Sequence, residues 1–88
     1  MRQELQIINE KGLHARASAR FVETVEAFDA EAVVEKDGME VGGDSIMGLM
    51  MLAASKGCQI AVETSGNQAQ ELAEALKALV GNYFGEGK

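Results

Sequence analysis

The apolar residues of this chain repeat with two different periods, and the order in which those periods alternate constrains the fold more than any other feature. Residues 3–8 alternate, with Leu5 and Ile7 on one face and Gln6 and Ile8 on the other, the pattern of a strand. Residues 9–12 (Asn-Glu-Lys-Gly) form a turn cluster, after which Ala17, Phe21, Val25 and Phe28 recur at helical spacing, with Val22 beside them and Arg20, Glu23 and Glu26 opposite. Alternation returns over residues 30–36, and Asp37-Gly38 tolerates the two positive φ angles of a tight hairpin, so residues 39–41 form its second arm.

Gly42-Gly43 breaks that arm, and Asp44-Ser45 supplies capping oxygens for a short apolar helix over residues 46–54, closed by Lys56-Gly57. Ile46 and Met51 are expected to fill core there. Residues 58–64 alternate again, with Ile60 and Val62 inward and Cys58 as a small buried hydrophobe. Leu72, Leu76, Leu79, Val80 and Tyr83 then mark a long amphipathic helix. The order is βαββαβα over a single domain, residues 1–88. The expected class is α+β, one four-stranded antiparallel sheet with helices covering one face, a sandwich of two layers.

Composition narrows the function classes. Eight basic against fourteen acidic residues leave a net charge of -6, wrong for a phosphate-backbone or anionic-membrane surface, so no nucleic-acid partner and no membrane insertion are expected. Residues 1–10 lack the basic head and apolar stretch of a signal peptide, which makes the cytoplasm the expected location. One histidine and one cysteine cannot assemble the usual zinc ligand sets, and no calcium-loop spacing occurs. Neither a metal nor a cofactor is expected.

Two helix starts carry the chemistry. In Gly12-Leu13-His14-Ala15-Arg16 the sole imidazole stands just before an amphipathic helix. Free backbone N–H groups, the positive end of the helix dipole and a guanidinium would together hold a phosphate on or near it. Imidazole is also a nucleophile that can carry a covalent phosphoryl group. A solvated histidine and arginine are the bland alternative; Gly12, which permits a tight turn and close backbone approach, weighs against it. In Asp44-Ser45-Ile46-Met47-Gly48-Leu49-Met50, Ser45 reads as a helix cap or as a kinase target. Met47 and Met50, three apart, share a helix side and offer an adaptable contact surface.

Both motifs, at this interval, resemble the active-histidine and regulatory-serine motifs of HPr, the histidine-containing phosphocarrier family of the bacterial phosphoenolpyruvate-dependent phosphotransferase system, and the resemblance spans the chain. It implies an open-faced β-sandwich, a four-stranded antiparallel sheet covered by three helices. It also implies that His14 accepts a phosphoryl group at Nδ1 from Enzyme I and donates it to a histidine of an Enzyme IIA domain, with Arg16 steadying the phosphate. Ser45 then corresponds to the serine modified by HPr kinase/phosphorylase. Ala19, Arg20, Met47 and Met50 would lie on the docking surface of a monomer.

One position departs from the family pattern. Ala17 follows Arg16 where most members carry proline, which resembles the Gly-Leu-His-Ala-Arg-Ala-Ser form of many proteobacteria, often serving a regulatory, nitrogen-related chain without sugar permeases. Alanine restores a first-turn N–H that proline removes. A more distant alternative is an acyl carrier bearing phosphopantetheine on Ser45, suggested by size, acidity and Asp-Ser at a helix start; such carriers are all-helical.

Overall fold

A computed structural model describes residues 1–88. The elements run β1 (Arg2–Gln6), α1 (Ala15–Glu26), β2 (Glu31–Lys36), β3 (Met39–Gly42), α2 (Ile46–Met51), β4 (Gln59–Ser65) and α3 (Ala69–Gly81), followed by a 3-10 turn at Tyr83–Gly85. The strands form one antiparallel sheet in the order β1-β4-β2-β3. This is the expected open-faced α+β sandwich, and its sheet excludes the all-helical carrier alternative.

Register explains which face is covered. Gln3, Val62, Val34 and Val41 lie in one cross-strand row, and Leu5 pairs with Ile60. The buried members of these rows meet Phe21 and Val25 of α1, Leu49 of α2 and Leu72, Leu76 and Val80 of α3 in a single core. Alternate residues point away: Glu4, Ala61, Glu35 and Glu40 form a row on the uncovered face. The hairpin between β2 and β3 turns through Asp37 and Gly38 at φ 53° and 86°, the two positive angles that Asp-Gly tolerates.

Four expectations need correction. Helix α2 ends at Met51, not near residue 54, and the left-handed residue behind it is Ala53 (φ 53°), three residues ahead of the Lys56-Gly57 stop. Ile46 and Met51 do not fill the core; a helix this short rests on the sheet through Leu49 and the Leu52 that follows it, leaving its other apolar residues exposed. At the far end, helical periodicity through Tyr83 does not survive. Tyr83 and Phe84 both take left-handed φ angles (57° and 53°), the chain reverses, and Phe84 replaces Tyr83 as the fully buried aromatic. Cys58 is half-buried just before β4, not buried within it, and its thiol lies 3.5 Å from the Ser55 hydroxyl. That hydroxyl contact, with the nearby Lys36 ammonium, holds the thiol below its ordinary pKa.

Candidate functional site

The turn before α1 is fixed by backbone contacts that only glycine permits. Gly12 sits at φ 63°, and a Cβ there would lie 2.3 Å from the Ala54 carbonyl oxygen. The next residue seals the junction, Leu13 N–H donating to that same carbonyl at 2.9 Å. Buried Ser18 reaches back from α1, its hydroxyl donating to the Leu13 carbonyl at 3.3 Å, while its N–H closes the first helical bond on the His14 carbonyl at 2.9 Å. His14 is thereby held as the extended N-cap residue (φ -78°, ψ -175°), with its side chain free of any capping bond.

The N–H groups of Ala15, Arg16 and Ala17 consequently have no partner within the chain. Ala17 contributes the one that proline would delete. Beside them a cleft of about 470 Å³ is lined by Glu10, Lys11, His14, Arg16, Glu86 and Lys88, among others. Lys11 and Arg16 thus share the cleft with the imidazole. Arg20 instead lies beside the C-terminal tail, with its guanidinium carbon 3.7 Å from where a Cβ on Gly85 would stand.

Sequence reasoning missed two residues of this site. Glu86 Oε2 meets His14 Nε2 in a hydrogen-bonded pair. The other oxygen of Glu86 accepts from Asn9 Nδ2 at 3.0 Å, and the same amide donates to the Gly12 carbonyl at 2.9 Å. Asn9, read from sequence as a turn former, is completely buried. Burial pushes the Glu86 carboxyl pKa up, but hydrogen bonds from Asn9 and His14 and the charges of His14 and Arg16 outweigh it and hold the group below its ordinary value. With Nε2 engaged, His14 Nδ1 has no hydrogen bond within the chain, and the imidazole is 28% exposed. The arrangement leaves one ring nitrogen free for nucleophilic chemistry beside an anion-binding helix start.

Ser45 caps α2: its Oγ accepts from Gly48 N–H at 2.9 Å. Helices α1 and α2 are in contact. On α2, Met47 is 74% exposed and Met50 43%, so the methionine pair lies open to solvent, joined by exposed Ile46 and Met51. Ala19 is half-buried and Arg20 exposed on α1. No group of side chains capable of holding a metal ion is present, and no helix is long and apolar enough to cross a membrane.

Comparison with known proteins gives a consistent result. The family model described as "PTS HPr component phosphorylation site" matches residues 1–82. The Phosphocarrier protein HPr of Neisseria meningitidis serogroup A is 50% identical over 88 residues, covering 100% of this chain and 99% of that protein. The Phosphocarrier protein NPr of Escherichia coli is 38% identical over 87 residues, covering 98% and 97%. The crystal structure of HPr-C-His from Thermoanaerobacter tengcongensis superposes with a TM-score of 0.93 at 38% identity, covering 98% of this chain and 97% of that one.

Proposed function

The chain belongs to the HPr family of phosphotransferase-system phosphocarriers, and from that premise we propose that His14 accepts a phosphoryl group on Nδ1 from Enzyme I and passes it to a histidine of an Enzyme IIA domain. The observation that supports this reading best is the unpartnered Nδ1 at the start of α1, next to three free N–H groups. Those donors and the Arg16 guanidinium are suited to the phosphoryl oxygens: the negative charge on the group meets the positive end of the helix dipole.

Docking falls to Ala19 and Arg20 of α1 and to Met47 and Met50 of α2, whose flexible thioethers adapt to partners of different shape. Ser45 is the site for HPr kinase/phosphorylase. Phosphate there adds negative charge beside the methionine surface and weakens docking to acidic partners by like-charge repulsion.

Incubation with Enzyme I and phosphoenolpyruvate tests the carrier role. Wild type should gain an acid-labile phosphate that His14→Ala cannot accept, and a wild type that stays unlabelled overturns the reading. Labelling by HPr kinase and ATP should be acid-stable and absent from Ser45→Ala.

A second reading, a phosphocarrier of a regulatory nitrogen-related chain, is favoured by Ala17 in place of proline and by the relative named NPr. It differs in the downstream acceptor. Presenting the phosphorylated protein with sugar-type and nitrogen-type Enzyme IIA domains in parallel separates the two by which one is labelled.

A further inference from the structure

We propose that Glu86 is the positioning residue of the phosphoryl-transfer site, holding His14 in the tautomer that carries hydrogen on Nε2 and so keeping the Nδ1 lone pair available as the nucleophile. The inference rests on the phosphocarrier reading and extends it to a residue of the C-terminal tail.

The geometry carries the argument in three steps. First, the tail is built to arrive at the imidazole. Left-handed Tyr83 and Phe84, followed by Gly85 at φ 80°, reverse the chain after α3, and fully buried Phe84 fixes the reversal to the core. Second, the carboxylate is itself oriented. Asn9, buried and held to the Gly12 carbonyl at 2.9 Å, donates to Glu86 Oε1 at 3.0 Å and leaves Oε2 for the imidazole. Third, an ionised carboxylate can only accept, so the ring nitrogen facing it is the one bearing hydrogen. In a neutral imidazole that assignment places the lone pair on Nδ1.

The transfer then needs no proton movement on this protein. The Nδ1 lone pair forms the bond to phosphorus as the bond from phosphorus to the donor enzyme breaks, and that electron pair leaves with the donor. Hydrogen stays on Nε2, the ring gains a positive charge, and the Glu86 carboxylate stabilises it. In onward transfer the P–Nδ1 bond breaks, its electron pair returns to Nδ1, and the neutral Nε2–H imidazole is restored. A carboxylate behind an imidazole acts in this way wherever it fixes tautomer and orientation and stabilises the imidazolium.

Glu86→Gln makes a discriminating test, because Asn9 already claims the one oxygen that a carboxamide would retain. The amide NH2 then faces His14, and a donor at Nε2 forces hydrogen onto Nδ1. Two-bond 1H–15N correlation spectra of the neutral imidazole should show Nε2–H as the major tautomer in wild type. The populations should shift towards Nδ1–H in Glu86→Gln and become mixed in Glu86→Ala. In single turnover with phosphorylated Enzyme I, the rate constant at saturating donor should fall about ten-fold or more in both variants, with the half-saturating concentration little changed.

Unchanged tautomer populations and rate constants in folded variants overturn the proposal, even where melting temperature drops, since a merely structural tail would affect only the latter. If a variant does not fold, the wild-type spectrum decides alone: hydrogen on Nδ1 overturns the assignment and hydrogen on Nε2 supports it. A wild type that accepts no phosphate defeats the carrier reading instead, and the tautomer spectra still report on Glu86.

Discussion

Glu86 remains ionised at neutral pH although its burial opposes the charge, and that gives the contact with His14 a pH dependence of defined sign. Its pKa in the folded protein lies below the ordinary carboxyl value of 4.5, because Asn9, His14 and Arg16 favour the charged form. A group shifted down on folding contributes stability that is fully present above the ordinary value and is lost as pH falls through the folded value. Wild type should therefore be more stable than Glu86→Gln at neutral pH. Denaturant unfolding repeated from about pH 6 to about pH 3 should show that difference narrowing only below the ordinary carboxyl range. A difference constant across the range would mean that the charge of Glu86 is not what matters. At this scale the sequence revealed half the site. Gly12, His14 and Arg16 fall within five consecutive residues and their chemistry is legible from their order, whereas Glu86 lies 72 positions from its partner and resembles any other solvated acid. Asn9 was hidden for a related reason: an asparagine opening the Asn-Glu-Lys-Gly cluster signals a turn, and nothing local says that its amide is buried between two acceptors.

In helix α2 the structural role of Ser45 as a cap meets the regulatory role proposed for it. Six residues are too few for a helix to be stable alone, so the bond from Gly48 N–H to the Ser45 oxygen matters for keeping it formed. Ser45→Ala should cost about 1 kcal/mol, visible as a melting temperature lower by roughly 4–8 °C. Ser45→Asp restores a capping oxygen and adds a charge at the favourable end of the helix, so its melting temperature should stay near that of wild type. Docking should reverse the ranking, with Ser45→Ala binding Enzyme I like wild type and Ser45→Asp binding more weakly. Equal melting of the two variants would remove the capping account. The two element ends that sequence misjudged share one cause. Both α2 and α3 are terminated by non-glycine residues in left-handed conformations, Ala53 after the first and Tyr83 and Phe84 after the second. Such residues carry no local signature, while the apolar periodicity that runs through Tyr83 argues for continuation. Burial of Phe84 supplies the tertiary compensation that overrides it.

Over the whole molecule, charge is segregated in a way that the net value of -6 conceals. The uncovered sheet face carries Glu4, Glu31, Glu35, Glu40 and Glu63, with Arg2 joined to Glu35 at 3.1 Å. Lys11, Arg16, Arg20 and Lys88 instead surround the start of α1 and the tail. The alternating strands made this separation readable once the apolar face was assigned, because every residue between two core positions must point the other way. A sheet face this acidic disfavours approach by acidic partners, in keeping with the docking proposed for the helix face. It also places like charges in register: Glu35 lies directly opposite Glu40 on β2 and β3. Like-charge cross-strand pairs are destabilising, and converting one to an opposite-charge pair is worth about 0.2–1 kcal/mol. Glu40→Lys should therefore raise the melting temperature in low salt. The gain should shrink near 1 M salt, where the Debye length of about 3 Å screens exposed pairs. Because Glu40 lies on the face opposite the helices, the same variant should accept phosphate from Enzyme I at the wild-type rate. A gain that persists in high salt would point to packing by the lysine stem instead of charge, and a slowed transfer would show that donors also engage the sheet face.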